Sequence, residues 1–173
     1  MRTEGNTIGI FRMKNLTYVL LNGFLLAFFL TGSHAAGTSK GQTIKQSAQI
    51  MIKQDGQQSG KYTSSDLIVD YNYTADGKTL QMSGVVKAAP SLAANYSNVN
   101  RFYLGLLLAD AQGKVLQREP LATYTGGKLR TGLDFKANLS LPPQAACMAF
   151  MYNGQLTGGG SGPYVFSGNP IGK

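Results

Sequence analysis

Between Leu133 and Leu141 every second residue is apolar: Leu133, Phe135, Ala137, Leu139 and Leu141 alternate with Asp134, Lys136, Asn138 and Ser140. Such a segment gathers its apolar side chains on one face only when extended, because successive strand side chains point to opposite faces. The same period runs through Leu67, Val69, Tyr71 and Tyr73, then Leu80, Met82, Gly84 and Val86, then Ala146, Met148, Phe150 and Tyr152. Beyond residue 36 no ten-residue stretch keeps the 3.6-residue period of an amphipathic helix. The chain is therefore constrained to sheets.

Turn residues cut these runs apart. Asp76-Gly77 tolerates positive φ at both positions and predicts a hairpin between the strands starting near Leu67 and Leu80. Asp110-Ala111-Gln112-Gly113 has the Asp-first, Gly-last preference of a type I turn. The segments TADGKTLQ (74–81) and LADAQGKVLQ (108–117) echo one another, which shared hairpin chemistry explains. The run FYLGLLLAD (102–110) predicts a central strand, and Pro120 confines the strand after it to an edge or splits it. Residues 88–100 carry no strand pattern and read as a crossover loop. Pro142-Pro143 stops the strand before it.

Residues 36–65, rich in Gly, Gln, Ser, Thr and Lys, read as a flexible polar leader, with Ala48–Lys53 a strand or helical turn inside it. Residues 157–173 read as a Gly-rich connector and tail, with a short strand at Tyr164–Phe166. The expected fold is all-β: a single Ig-like antiparallel β-sandwich over 66–156, with a small β-barrel as the alternative.

Ahead of this body, Leu16–Leu30 is uncharged and dense in Leu and Phe, follows Arg12 and Lys14, and leads to Ser33-His34-Ala35-Ala36. A basic start, a short apolar run and a small-x-small exit predict a secretory signal peptide over 1–35, cut after Ala35 or Ala36. The run is short of the ~20 residues of a membrane span and is interrupted by Asn22-Gly23, so the mature chain is expected to hold no transmembrane segment. Met13-Lys14-Asn15 would itself start a normal signal, so residues 1–12 read as an over-extended start.

Removing 35 of the 173 residues leaves 138, enough for one domain with a core. Sixteen basic and eight acidic residues become thirteen and seven, a net charge of +6 scattered without a run. This predicts a weak attraction to anionic surfaces and argues against nucleic acid as a partner. Location is expected to be periplasmic or secreted. A lone cysteine, Cys147, inside an apolar segment reads as a small core residue.

The single histidine, His34, leaves with the signal. Triads that need an imidazole base are then ruled out, and no S-x-x-K motif offers a lysine-assisted serine. Zinc and calcium want clustered ligands that the scattered acids do not predict. Asp66 and Asp70 share a strand face but lie about 13 Å apart. The run Gly158–Gly162 lacks the Lys-Ser/Thr of a phosphate-binding loop and reads as a hinge. No catalytic, metal or cofactor residue is assigned. Tyrosines near Asn and Ser suit contact surfaces, and Tyr124, Tyr164 and Phe166 are the candidate contact residues.

Finally, LLLADAQGKVL (106–116) and LDFKANLSLPPQAACMAFMYNG (133–154) resemble bacterial extracellular Ig-like domains of the FxLyD type, over roughly 80–154. Leu106, Leu108 and Asp110 match the motif, with Leu106 in place of Phe and Ala109 in place of Tyr. The resemblance implies a sandwich fold and an envelope location, with no catalytic residue. The expected function is a non-catalytic exported protein that binds or scaffolds an envelope protein or glycan. Alternatives are a structural subunit of a surface fibre or adhesin and, behind it, a carboxylate-dependent glycan hydrolase.

Overall fold

The alternating segments form strands that pack as two antiparallel sheets in a computed structural model describing residues 39–158, 160 and 162–172. The fold is all-β, a sandwich rather than a closed barrel. The leading segment and its expected cut at Ala35 or Ala36 lie outside the described residues. Among those described, no helix is long and apolar enough to cross a membrane.

In chain order the elements are β1 (Ile50–Met51), β2 (Gln57–Thr63), β3 (Leu67–Ala75), β4 (Thr79–Ala88), α1 (Pro90–Asn95), β5 (Asn98–Ala109), β6 (Val115–Tyr124), β7 (Leu133–Ser140), β8 (Cys147–Thr157) and β9 (Tyr164–Gly168). One sheet has the order β2-β3-β4-β7. In the other, β5 lies between β6 and β8, and the far edge of β8 is shared by β1, beside Cys147 and Met148, and β9, beside Tyr152–Leu156.

The two Asp-led turns are built alike. Asp76 Oδ1 accepts from the amides of Lys78 (2.9 Å) and Thr79 (2.6 Å). Asp110 Oδ1 accepts from those of Gln112 (3.0 Å) and Lys114 (2.8 Å). The amide bonds hold the exposed Asp76 carboxyl below the usual carboxylate range. Pro120 does lie on an edge strand. Leu104 pairs with Ala122 and Gly105 with Pro120, so Leu121 is the extra residue of a bulge and drops into the core.

Three segments differ from their sequence reading. The polar leader, from residue 39 on, is part of the fold: β2 pairs along all seven of its residues with β3. Its inward positions are Gln58, Gly60 and Tyr62, so apolar alternation could not reveal it. Residues 88–100 contain α1, with Pro90 at its first turn where a missing N–H is harmless, and the start of β5. The tail beyond Pro163 continues past β9 and meets the leader, with Ile44 bridging Ile171 and Lys45 N–H donating to Pro170 O at 2.8 Å.

The main core lies between the sheets: Leu67, Val69, Tyr71, Met82 and Val86 face Leu104, Leu106, Leu108, Met148 and Phe150. A smaller cluster occupies the outer face of the five-stranded sheet. There Leu107, Ala109, Cys147, Ala149 and Met151 are covered by Ile44, which is 1% exposed, and by Ile171. This explains why β5 reads as nearly continuous apolar sequence and why Cys147, Ala149 and Met151, on the other phase of β8, are apolar too: both faces of these strands are buried. Cys147 is fully buried, donates to Asp110 O at 3.3 Å, and has its thiol pushed up by burial and then by the Asp110 carboxylate. It is a core residue.

Candidate functional site

The three candidate contact residues fall on one structural feature. Phe102 pairs with Tyr124 on one side and Gly154 on the other, and Gly154 pairs with Phe166. They form a single rung across β6, β5, β8 and β9. A Cβ on Gly154 would sit 2.6 Å from the Phe166 ring and 3.0 Å from that of Phe102, so glycine there lets both rings close over β8. Ring centroids step from Tyr124 to Phe102 (6.1 Å), Phe166 (5.9 Å), Tyr164 (6.2 Å) and Tyr96 (5.1 Å). These are stacking distances.

Phe166 is thus corrected from a contact residue to a core residue, 4% exposed. Tyr124 and Tyr164 are half-buried, and both hydroxyls have internal partners. Tyr124 donates to the carbonyl of Asp134. Tyr164 donates to Asp66 Oδ1 at 3.4 Å.

Asp66 also accepts from Tyr152 (3.0 Å), whose hydroxyl lies 2.9 Å from Ser64 Oγ. This hydroxyl–carboxylate cluster ties the β2–β3 turn to β8 and β9, one sheet to the other. Burial raises the Tyr152 phenol far above its ordinary value, with the Asp66 carboxylate adding to the effect and the Ser64 bond opposing it. The Asp66 charge raises Tyr164 in the same direction. Both phenols stay protonated at neutral pH and act as donors, so the cluster works as a latch between the sheets. Asp66 lies in the turn ahead of β3 and not in the strand as expected, and Asp70, within β3, pairs with Lys61 at 3.3 Å.

A raised folded-state pKa favours the fold while the phenol is protonated. That contribution is whole below the unfolded value near pH 10 and is lost as pH rises through the folded value. Tyr152→Phe is expected to lower stability at pH 7 by about 1–2 kcal/mol. It should also flatten the alkaline decline relative to the parent. Urea unfolding at neutral and alkaline pH checks this, and parallel profiles for the two proteins would remove the latch.

The open surface lies elsewhere. On the outer face of the four-stranded sheet, Gln57, Thr74, Gln81 and Asn138 line up across β2, β3, β4 and β7. Asn72, Ser83 and Lys136 form the next rung. Ser83, half-buried and short, lies between longer neighbours, and the result is a polar groove of about 550 Å³. Its backbone is fixed by ladder pairing on three strand interfaces and by the core beneath. Lys136 is its one charged side chain. A second depression, about 750 Å³, lies between the leader and the Asp110 turn. Lys40 and Gly41 of the leader, the Asp110 turn, Gln144 and the start of β6 at Val115 and Leu116 wall it.

Apart from Gln57, which falls in the polar leader, the sequence shows these groove residues only as the polar phase of the strands. Asn72 and Asn138 sit mid-strand, where Asn is disfavoured, and that was the available signal. Among the described residues no group of three or more His, Cys, Asp or Glu is placed to hold a metal. No protein-family model, curated protein or solved structure matches the chain.

Proposed function

We propose that the chain is an exported, non-catalytic β-sandwich with a binding role in the bacterial cell envelope, and that it binds through the groove of the four-stranded sheet. One observation carries this reading: a set of exposed, nearly uncharged polar side chains aligned in register across four hydrogen-bonded strands. Sites on strands hold their geometry better than sites on loops. The leading apolar segment supports export.

Against a catalytic role stands the chemistry of the polar clusters. The phenols of the latch are held protonated, and the groove offers amides and hydroxyls with no acid–base pair. In the fibre-subunit reading the Gly-rich tail or the leader would be donated to a neighbour, and β9 of the tail already pairs with β8. Here that leader is already paired in its own chain, through Thr43 with Lys114 and Ile44 with Ile171.

Photo-crosslinking in intact cells tests the proposal. A benzophenone side chain at Gln81 is expected to capture envelope material, while the same group at exposed Thr123, on the other sheet, captures little. Equal capture at both positions, or none at Gln81, would overturn it.

A further inference from the structure

We infer that the ligand of this groove is a neutral, hydroxyl-rich glycan chain lying across the strands; the inference rests on the binding reading above. Each amide of Gln57, Asn72, Gln81 and Asn138 brings one carbonyl acceptor and two N–H donors, and the hydroxyls of Thr74 and Ser83 do both. A sugar hydroxyl also donates and accepts, so an array of mixed groups is its natural complement. A phosphate or carboxylate ligand would call for paired cations, best supplied by arginine. The groove has Lys136 alone, and on the rung beyond it Lys61 is neutralised by Asp70 while Asp134 adds a further negative charge. An apolar peptide would call for apolar side chains. Tyr73 and Met82, which border the groove through their backbone, turn their side chains into the core.

The residue choice is informative in itself. A sheet face that needs only solubility is readily made from Thr, Lys and Glu. Asn72 and Asn138 are at strand interiors, away from the turns and caps where Asn has a structural use. Residues that break a local rule in this way are expected at functional positions. The four strands extend the array over three strand spacings, about 14 Å, with the rungs about 7 Å apart. That is the footprint of a short oligosaccharide.

Hydrogen bonds exchanged with water yield little net free energy each. The lining has no outward aromatic ring for a sugar to stack on. The single-site affinity is therefore expected near 1 mM.

The test is an NMR titration of the purified, isotope-labelled chain with cellotetraose, chitotetraose and, separately, an oligogalacturonate. At least one neutral tetrasaccharide should shift the side-chain amide signals of Asn72, Gln81 and Asn138, and the acidic one should bind about tenfold more weakly. The double variant Asn72→Ala/Asn138→Ala should keep its melting temperature and lose about tenfold in affinity. Gln81→Glu, which preserves shape and adds charge, provides a second variant with the same expected loss. Unmoved amides with both neutral sugars, preference for the acidic one, or shifts confined to other surfaces would each overturn the inference. If Gln81 crosslinks to a protein while the amides ignore sugars, the binding reading stands and the glycan falls.

Discussion

Phe102→Ala is expected to lower the unfolding free energy by about 4 kcal/mol, the upper range for removing a buried aromatic ring. Phe102 is 1% exposed and occupies the centre of the row that joins Tyr124 to Phe166. What makes the loss large is the inability of the surroundings to close. Gly154, directly opposite, has no side chain to move into the gap, and the rings on either side are held by their own partners. A domain of this size has roughly 5–15 kcal/mol in total, so the variant would approach the threshold of folding. Urea unfolding followed by circular dichroism gives the number. A loss below about 1.5 kcal/mol would show that the neighbouring rings collapse inward and that the row is loosely packed.

Gly84→Ala is expected to cost about 3 kcal/mol, the severe end of overpacking. Gly84 faces the core from the middle of β4, where it pairs with Tyr71 and with Phe135. An added Cβ would lie against the carbonyl oxygen of Asp70, a main-chain atom fixed by the sheet, and 2.8 Å from Phe135 Cζ. The Phe135 ring can turn, but the carbonyl cannot withdraw without breaking pairing. Alanine ordinarily gains up to about 1 kcal/mol over glycine within a strand, and that gain is too small to offset the clash. Gly162→Ala is the control. Its Cβ would meet nothing within 4 Å, so its effect should stay within about 0.5 kcal/mol. Similar values for the two variants would mean that β4 shifts freely in its sheet.

Glycine opposite an aromatic ring recurs through this molecule. Tyr71 lies over Gly60 and beside Gly84, Phe102 and Phe166 close over Gly154, and Tyr152 lies over Gly168. Each glycine breaks a strand pattern in the sequence, and each is explained by a ring on the neighbouring strand. This is why the strands themselves were legible while most of their partners, beyond those joined by the two Asp-led turns, were not. The strands β3, β4 and β7 repeat their apolar face every second residue, and Asp76-Gly77 fixes how β3 meets β4.

By contrast, β2 was hidden because the surface it needs is supplied by Tyr71 across the ladder, leaving it free to be Gln, Ser and Gly. The six residues of α1 are too few to display a helical period. Phe166 was misplaced because Tyr164, Val165 and Phe166 are apolar in succession, so no alternation says which of them turns inward. Only its register with Gly154 decides it. The groove was half visible. The β3–β4 rungs follow from a local turn, whereas the alignment of Gln81 with Asn138 joins strands more than fifty residues apart. Nothing in the local pattern of either strand encodes that match.

The meeting of the leader with the tail has a mechanical consequence. Thr43 and Ile44 leave one side of the fold beside Pro170 and Gly172, held by Lys45 N–H to Pro170 O and Gly172 N–H to Thr43 O, each 2.8 Å. A tug on both extremities would load these bonds in sequence, as a zipper is opened, instead of shearing the long ladders together. Tension would load this seam together with the bonds of Gly41 and Gln42 to Val115 and of Ile44 to Gly113, and its opening would bare Ile44 and Ile171.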